Sequence, residues 1–277
     1  MESSLAPCNH EEADTRLFLH ALHCAQNGHH RILIRSVDTD VVVLAIAIVH
    51  ALSLDELWVA YAVKKHYRLI PAHTIANRLG ENKAKALLFF HAFTGCDTSS
   101  SFSGIGKKTA WDTWTNFPDI TDTFLSLSQE PSSVSDENVC QLKRFVIRLY
   151  DRTSECTEVN QARKLLFAKG RQIDRLPPTK AALTEHIKRS TYQAGHIWGQ
   201  ALISKQQLPS PCDWGWTKNA IEWWIPFWTA LAEAAKSCTE LIKCGCKKAC
   251  RPPCKCFCAS LPCTELCHCA GTCYQTD

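Results

Sequence analysis

The chain has 277 residues, 45% of them apolar, which is enough for a sizeable core and for one large or two modest domains. Its 31 basic and 27 acidic side chains leave a net charge of +4, a mild excess compatible with a polyanionic partner but not demanding one. No run approaches the ~18 consecutive apolar residues of a membrane span. Residues 1–16 (MESSLAPCNHEEADTR) are acidic and polar where a secretory signal is basic and then apolar, so an intracellular, reducing compartment and no membrane partner are expected.

Residues 1–128 alternate short apolar runs with amphipathic stretches, the pattern of an α/β region. Residues 15–27 space Leu17, Leu19, Leu22 and Ala25 as a helix would, and stop before Gly28. RILIRS at 31–36 reads as a short buried strand, and the apolar run 41–52 is long enough to be a core helix instead of another strand. Two strands are expected over 56–70 around Lys64-Lys65, one helix over about 74–93, and a Gly-rich turn at 103–106. The stretch 126–138 (SLSQEPSSVSDEN) has linker composition, so 129–235 is a second region, mostly helical. It ends in a tryptophan cluster, Trp214, Trp216, Trp223, Trp224 and Trp228, which is either a small packing core or a base-stacking platform. Residues 236–277 form a third region, a small Cys-rich tail.

That tail holds ten of the 17 cysteines within 30 residues. In a reducing compartment such density reads as metal ligation, with a disulfide framework as the alternative. Cys244, Cys246, Cys250, Cys254, Cys256, Cys263, Cys267, Cys269 and Cys273 form two CxC-centred halves, and Cys258 is an additional thiol between them. Zinc takes four tetrahedral ligands, so nine thiolates serve three ions if three sulfurs each bridge two metals. Lys247, Lys248, Arg251 and Lys255 lie beside the ligands, where they offset the cluster's negative charge and can meet phosphates. The run CGCKKACRPPCKCFCASLPCTELCHCAGTC resembles one repeat of the tesmin-type CXC domain, a zinc module that binds DNA. The resemblance implies a zinc cluster with DNA as partner.

A second constellation is acidic. Glu12 and Asp14 open the first predicted helix, Asp38 and Asp40 follow the first predicted strand, and Asp97 lies in Thr94-Gly95-Cys96-Asp97 after the next long helix. Ligands of open α/β sheets collect beyond the carboxyl ends of strands, where Asp38 and Asp40 belong. Carboxylates suit Mg²⁺ or Mn²⁺, which bind phosphate substrates and clamp the oxygens of a phosphodiester under attack. Each acid also has a plainer reading as a helix-start or turn residue.

The order of these acids resembles the PIN-like flap-endonuclease superfamily, in which an acidic pair opens a helix, an SxDxD-type pair ends the next strand and a G[CS]D segment follows. In that superfamily a GIGxKxA helix–hairpin–helix turn comes next, matched here by Gly104-Ile105-Gly106-Lys107-Lys108-Thr109-Ala110. Glycines let backbone approach a phosphate, N–H groups of the following helix donate to it, and Lys107 and Lys108 add charge. The resemblance implies a parallel-sheet PIN-like domain, catalytic metal held by the five acids, and a turn that grips duplex DNA. It also implies an earlier strand and helical arch, so residues 1–128 are expected to be truncated at their amino terminus. The pairing with a CXC tail points to a nuclear, chromosomal or mobile-element-derived protein. No small-molecule substrate is expected.

Overall fold

The computed structural model describes residues 5–63, 66–229, 244–246, 254–258, 263 and 267–269. The chain divides into two compact units, each built from separate stretches. Unit 1 comprises Met1–Ser101, Gly106–Leu142 and Thr184–Phe227, and unit 2 comprises Phe102–Ile105, Lys143–Leu183 and Trp228–Asp277. Among the described residues no helix is long and apolar enough to cross a membrane.

Unit 1 is an α/β structure. Helix α1 (Ala13–Gln26) buries Phe18, Leu19 and Ala21 and ends at Asn27. Strand β1 (Arg31–Ser36) turns Ile34 into the core, leaving Leu33 on the opposite, open face. The apolar run that follows is helical, as its length predicts: α2 (Thr39–Ile48) buries Val41, Leu44, Ala45, Ile46 and Ala47, and a 3-10 turn (Val49–Leu52) completes it. It carries the chain over to β2 (Glu56–Val63), which lies parallel to β1 with Arg31 opposite Glu56 and Ser36 opposite Tyr61.

Strand β3 (His66–Pro71) returns antiparallel to β2. The sheet is therefore mixed, in the order β1-β2-β3, where an all-parallel sheet was expected. The cause is the connection. Only residues 64–65 separate β2 from β3, and so short a link permits a hairpin but no crossover. Lys64 and Lys65 themselves lie outside the described residues.

The single helix expected over 74–93 is two, α3 (Ala72–Leu79) and α4 (Glu81–Phe93), interrupted at Gly80. Helix α4 is buried all round from Ala86 to Phe93, while its first turns carry Glu81, Asn82, Lys83 and Lys85 toward solvent. Phe89 and Phe93 are fully buried, each contributing about 2 kcal/mol of apolar burial. Helices α5 (Lys107–Asn116) and α6 (Ile120–Leu127) pack beside it through Phe90, Trp114 and Phe124, with ring centroids 4.9–6.1 Å apart. Since α6 extends to Leu127 and α7 (Asp136–Tyr150) begins at Asp136, the linker expected over 126–138 shrinks to 128–135.

Later in unit 1 a π-helix (Tyr192–Trp198) lies against α4. Its wide turn fits a crowded site, because a Cβ on Gly199 would meet the carbonyl oxygens of Gly195 at 2.2 Å and Ser128 at 2.9 Å. The tryptophan region divides by burial. Trp214 is buried and meets His196 edge-on at 4.5 Å, whereas Trp223 and Trp224 stand exposed on the hairpin of β4 (Trp216–Lys218) and β5 (Trp224–Pro226).

Unit 2 takes in the later part of α7, α8 (Val159–Ala168) and the start of α9 (Lys180–Thr191). Phe145, Val146, Val159, Leu166 and Leu176 are buried there, and Lys143 pairs with Glu158 at 2.5 Å. The described part of the tail adds one short helix, α10 (Lys255–Cys258).

Candidate functional site

The predicted acids of unit 1 come from three distant stretches of the chain. Glu12 stands at the entry of α1 with Asp14 in its first turn. Asp38 follows β1 and caps α2, its Oδ1 accepting from the Asp40 N–H at 2.8 Å while its own N–H donates to Ser36 Oγ at 3.0 Å. The plainer reading of Asp38 as a cap thus holds, and it leaves the second carboxylate oxygen available. Asp97 sits in a turn after α4, closed by reciprocal backbone bonds between Cys96 and Ser99 at 3.1 and 3.2 Å. Gly95 makes that turn possible, since it adopts φ +111° and a Cβ there would lie 2.8 Å from the Ser101 Cβ.

The acids act on one another electrostatically. Asp14 is held above its ordinary value, first by burial and then by the negative charges of Asp38, Asp40 and Asp97. Glu12 is also raised, mainly by burial and further by Asp14 and Asp40. Two hydrogen bonds oppose that rise: Gln193 Nε2 donates to Glu12 Oε1 at 2.8 Å and the Trp198 indole N–H to Oε2 at 3.2 Å. Carboxylates that act on one another in this way raise one another's proton affinity.

Around the acids stand groups that the sequence did not mark. Asp40 is buried, and its Oδ1 meets His91 Nε2 at 2.7 Å. A histidine inside the apolar run LLFFHAF was the available signal, because a buried imidazole needs a partner. Gln193 and Trp198 had none, lying some 180 residues from Glu12 and joined to it only by the fold.

The Gly-Ile-Gly turn is split between its predicted roles. Gly104 and Ile105 lie in an exposed to half-exposed turn closed by the Ile105 N–H on Phe102 O at 3.0 Å, and Gly106 caps α5. Lys108 is exposed in the first turn of that helix. Lys107 is exposed along its stem but turns its ammonium inward, donating to His91 O at 3.1 Å and Thr94 Oγ1 at 3.2 Å.

In unit 2 the tail gathers its thiols. Cys244, Cys263, Cys267 and Cys269 form one group, and Cys244, Cys254, Cys256 and Cys263 form another, with all ligand atoms of a group within 4.8 Å. Separations of 3.7 Å for Cys244–Cys263, 4.0 Å for Cys244–Cys269 and 3.6 Å for Cys256–Cys267 lie far outside the ~2.0 Å of a disulfide. They match the ~3.8 Å between thiolates on a tetrahedral ion with metal–sulfur bonds of ~2.3 Å. The two groups share Cys244 and Cys263, placed where sulfurs could bridge neighbouring ions. The cluster can therefore hold zinc.

Burial pushes the Cys256 thiol up to about 12, with the bond from Cys267 adding to it, so this thiol ionises at neutral pH only beside a cation. Cys246 packs against the cluster without joining either group. Cys250 and Cys273, with Lys247, Lys248 and Arg251, lie outside the described residues, and Lys255 opens α10.

Among the described residues the groups that close to within 4.8 Å are thiols, and the carboxylates of unit 1 do not form such a set. No family model, curated protein or solved structure matches the chain.

Proposed function

We propose that this protein is a metal-dependent, structure-specific DNA nuclease, or a DNA-binding protein derived from one, with a thiolate-zinc tail that adds DNA affinity. The observation that supports the reading is the electrostatic effect of Asp38, Asp40 and Asp97 on Asp14, acids from separate elements. Mg²⁺ or Mn²⁺ bound there would activate water and neutralise charge on a phosphodiester.

The chain's own residues divide the remaining work. Glu12 is fixed at both oxygens by Gln193 and Trp198, and Asp40 at one by His91, so each presents a set orientation. Gly104 to Gly106 and Lys108 would receive the duplex backbone at the start of α5. In the tail, the two thiol groups and their shared cysteines support a polynuclear cluster. Nine ligands would bring it to three ions.

The test is cleavage of flap and hairpin DNA in Mn²⁺ by the purified protein, beside an Asp38→Asn/Asp40→Asn variant. A loss of about a hundredfold or more in the variant is expected. Equal cleavage by both proteins removes the catalytic claim.

A second reading is favoured by the tighter closure of the thiols than of the carboxylates. It is a non-enzymatic, zinc-dependent DNA- or chromatin-binding protein with an inactive nuclease-like scaffold. Salt-sensitive DNA binding that survives loss of the acids and disappears on zinc chelation would select it.

A further inference from the structure

Charge is divided unevenly between the two compact units. Unit 1 carries 15 lysines and arginines against 19 aspartates and glutamates, a net −4, whereas unit 2 carries 16 against 8, a net +8. The excess is not confined to the cysteine tail, because residues 143–183 alone hold ten basic and four acidic side chains. The structure sorts those ten. Lys143 and Arg163 are buried and committed to internal oxygens, those of Glu158 and the Pro177 carbonyl. Arg152, Lys164, Arg171 and Arg175 are exposed, and among the described residues none of the four forms an ion pair.

Three of these four lie on α8 or just beyond it. The helix turns Val159, Ala162, Leu166 and Phe167 inward and leaves Gln161, Lys164, Leu165 and Ala168 outside, on one face without a carboxylate. Its end is fixed: the Gly170 N–H donates to Phe167 O at 2.8 Å and the Arg171 N–H to Leu166 O at 3.1 Å, with Gly170 at φ +85°. Arg171 is thereby held at the end of α8, and Arg175 follows in a 3-10 turn (Ile173–Arg175). Cations at a helix carboxyl end have a plain reading as partners of its dipole. That accounts for Lys169 and Arg171 but not for Lys164 in the helix or Arg175 beyond it.

We infer that α8 binds duplex DNA, with Gln161, Lys164 and Leu165 in the major groove and Arg171 and Arg175 on the flanking phosphates. The surface rests on neither the acids of unit 1 nor the thiols. Its chemistry selects the occupant. A helix ~10–12 Å across matches the ~12 Å major groove of B-DNA, where amide and ammonium groups meet base edges and an apolar side chain meets the thymine methyl. The major groove of an RNA duplex is too narrow for a helix. A membrane surface calls for a broad apolar stripe, and the large apolar side chain exposed on α8 is Leu165 alone.

The experiment follows binding of the zinc-loaded full chain to a mixed-sequence DNA duplex by fluorescence anisotropy across a salt series. Arg171→Gln/Arg175→Gln should lower the slope of log affinity against log salt by about 1.8, the share of two phosphates, and weaken binding about tenfold at about 0.15 M salt. Arg35→Gln/Arg78→Gln removes the same charge from exposed positions of unit 1 and should stay within about twofold of wild type. Gln161→Glu places a carboxylate on the groove face, should weaken binding about tenfold, and serves if the unit 2 arginine variant does not fold. Wild-type binding in the unit 2 variants, equal weakening in the unit 1 control, or no DNA binding by wild type overturns the inference. So does a loss in the unit 2 variants that falls on an RNA duplex or on phosphatidylserine vesicles and spares DNA. A chain that cuts no DNA yet shows the expected pattern retains the inference and loses the nuclease reading.

Discussion

The link between Glu12 and the π-helix gives a prediction whose pH dependence separates electrostatics from packing. Trp198 is 1% exposed, and its indole N–H reaches Glu12 Oε2 at 3.2 Å. Trp198→Phe keeps an aromatic ring and deletes that donor. A hydrogen bond to a buried charge contributes about 1.5–3 kcal/mol, and the length of this one places it near the lower end, about 1.5 kcal/mol. Its loss should move the Glu12 midpoint further up, because that bond opposes the rise. In wild type Glu12 is already raised above its ordinary 4.5. Its contribution to stability is therefore fully present below the unfolded value and lost as pH rises through the folded one. Raising the folded value further deepens that loss on the alkaline side only. Urea unfolding should then give a destabilisation by Trp198→Phe about 1.5 kcal/mol larger at about pH 8 than at about pH 4.5. The smaller ring's packing cost is the same at both values. Equal destabilisation at the two pH values would refute the argument and reduce Trp198 to a space-filling residue.

Two further outcomes follow from the thiol groups and from the Asp97 turn. Cys263 belongs to both thiol groups and Cys269 to one, so Cys263→Ser should lower the zinc content of purified protein more than Cys269→Ser does. Equal losses by elemental analysis would contradict the shared role. Gly95→Ala must place a side chain at φ +111° and 2.8 Å from Ser101, which should cost about 2–3 kcal/mol in urea unfolding and weaken Mn²⁺ binding by displacing Asp97. A Gly95→Ala protein with wild-type stability would refute the tight turn.

Local signals in the sequence were read correctly where local physics decides them. Residues 31–36 form a strand, but a half-exposed one with Ile34 alone buried where a buried strand was expected, and the run after Asp40 is helical because twelve mostly apolar residues (41–52) suit an enclosed helix better than a strand in a small sheet. What the sequence did not disclose depends on tertiary structure. The direction of β3 was decided by a two-residue link, and the helix over 74–93 breaks at Gly80, a residue that helical periodicity tolerates on paper. The acids could be picked out by type and order, but their neighbours could not. Gln193 and Trp198 reach Glu12 from the far end of unit 1, and nothing in their own segment marks them. Lys107 was legible as a cation but not in its direction, because adjacent lysines on a helix point about 100° apart and only packing decides which turns inward.

The two donor sets also restrict each other's metals. Thiolates are soft and hold zinc in closed tetrahedra, whereas carboxylates with waters accept hard ions and exchange them readily. On the proposed reading one chain needs both, so zinc must be kept out of the acidic cluster even though carboxylates bind it more strongly than they bind Mg²⁺ or Mn²⁺. Affinity order alone cannot achieve that. The thiol groups offer zinc a far better site in the same chain. Zinc therefore fills the tail first, and the acids compete for it only once those groups are occupied.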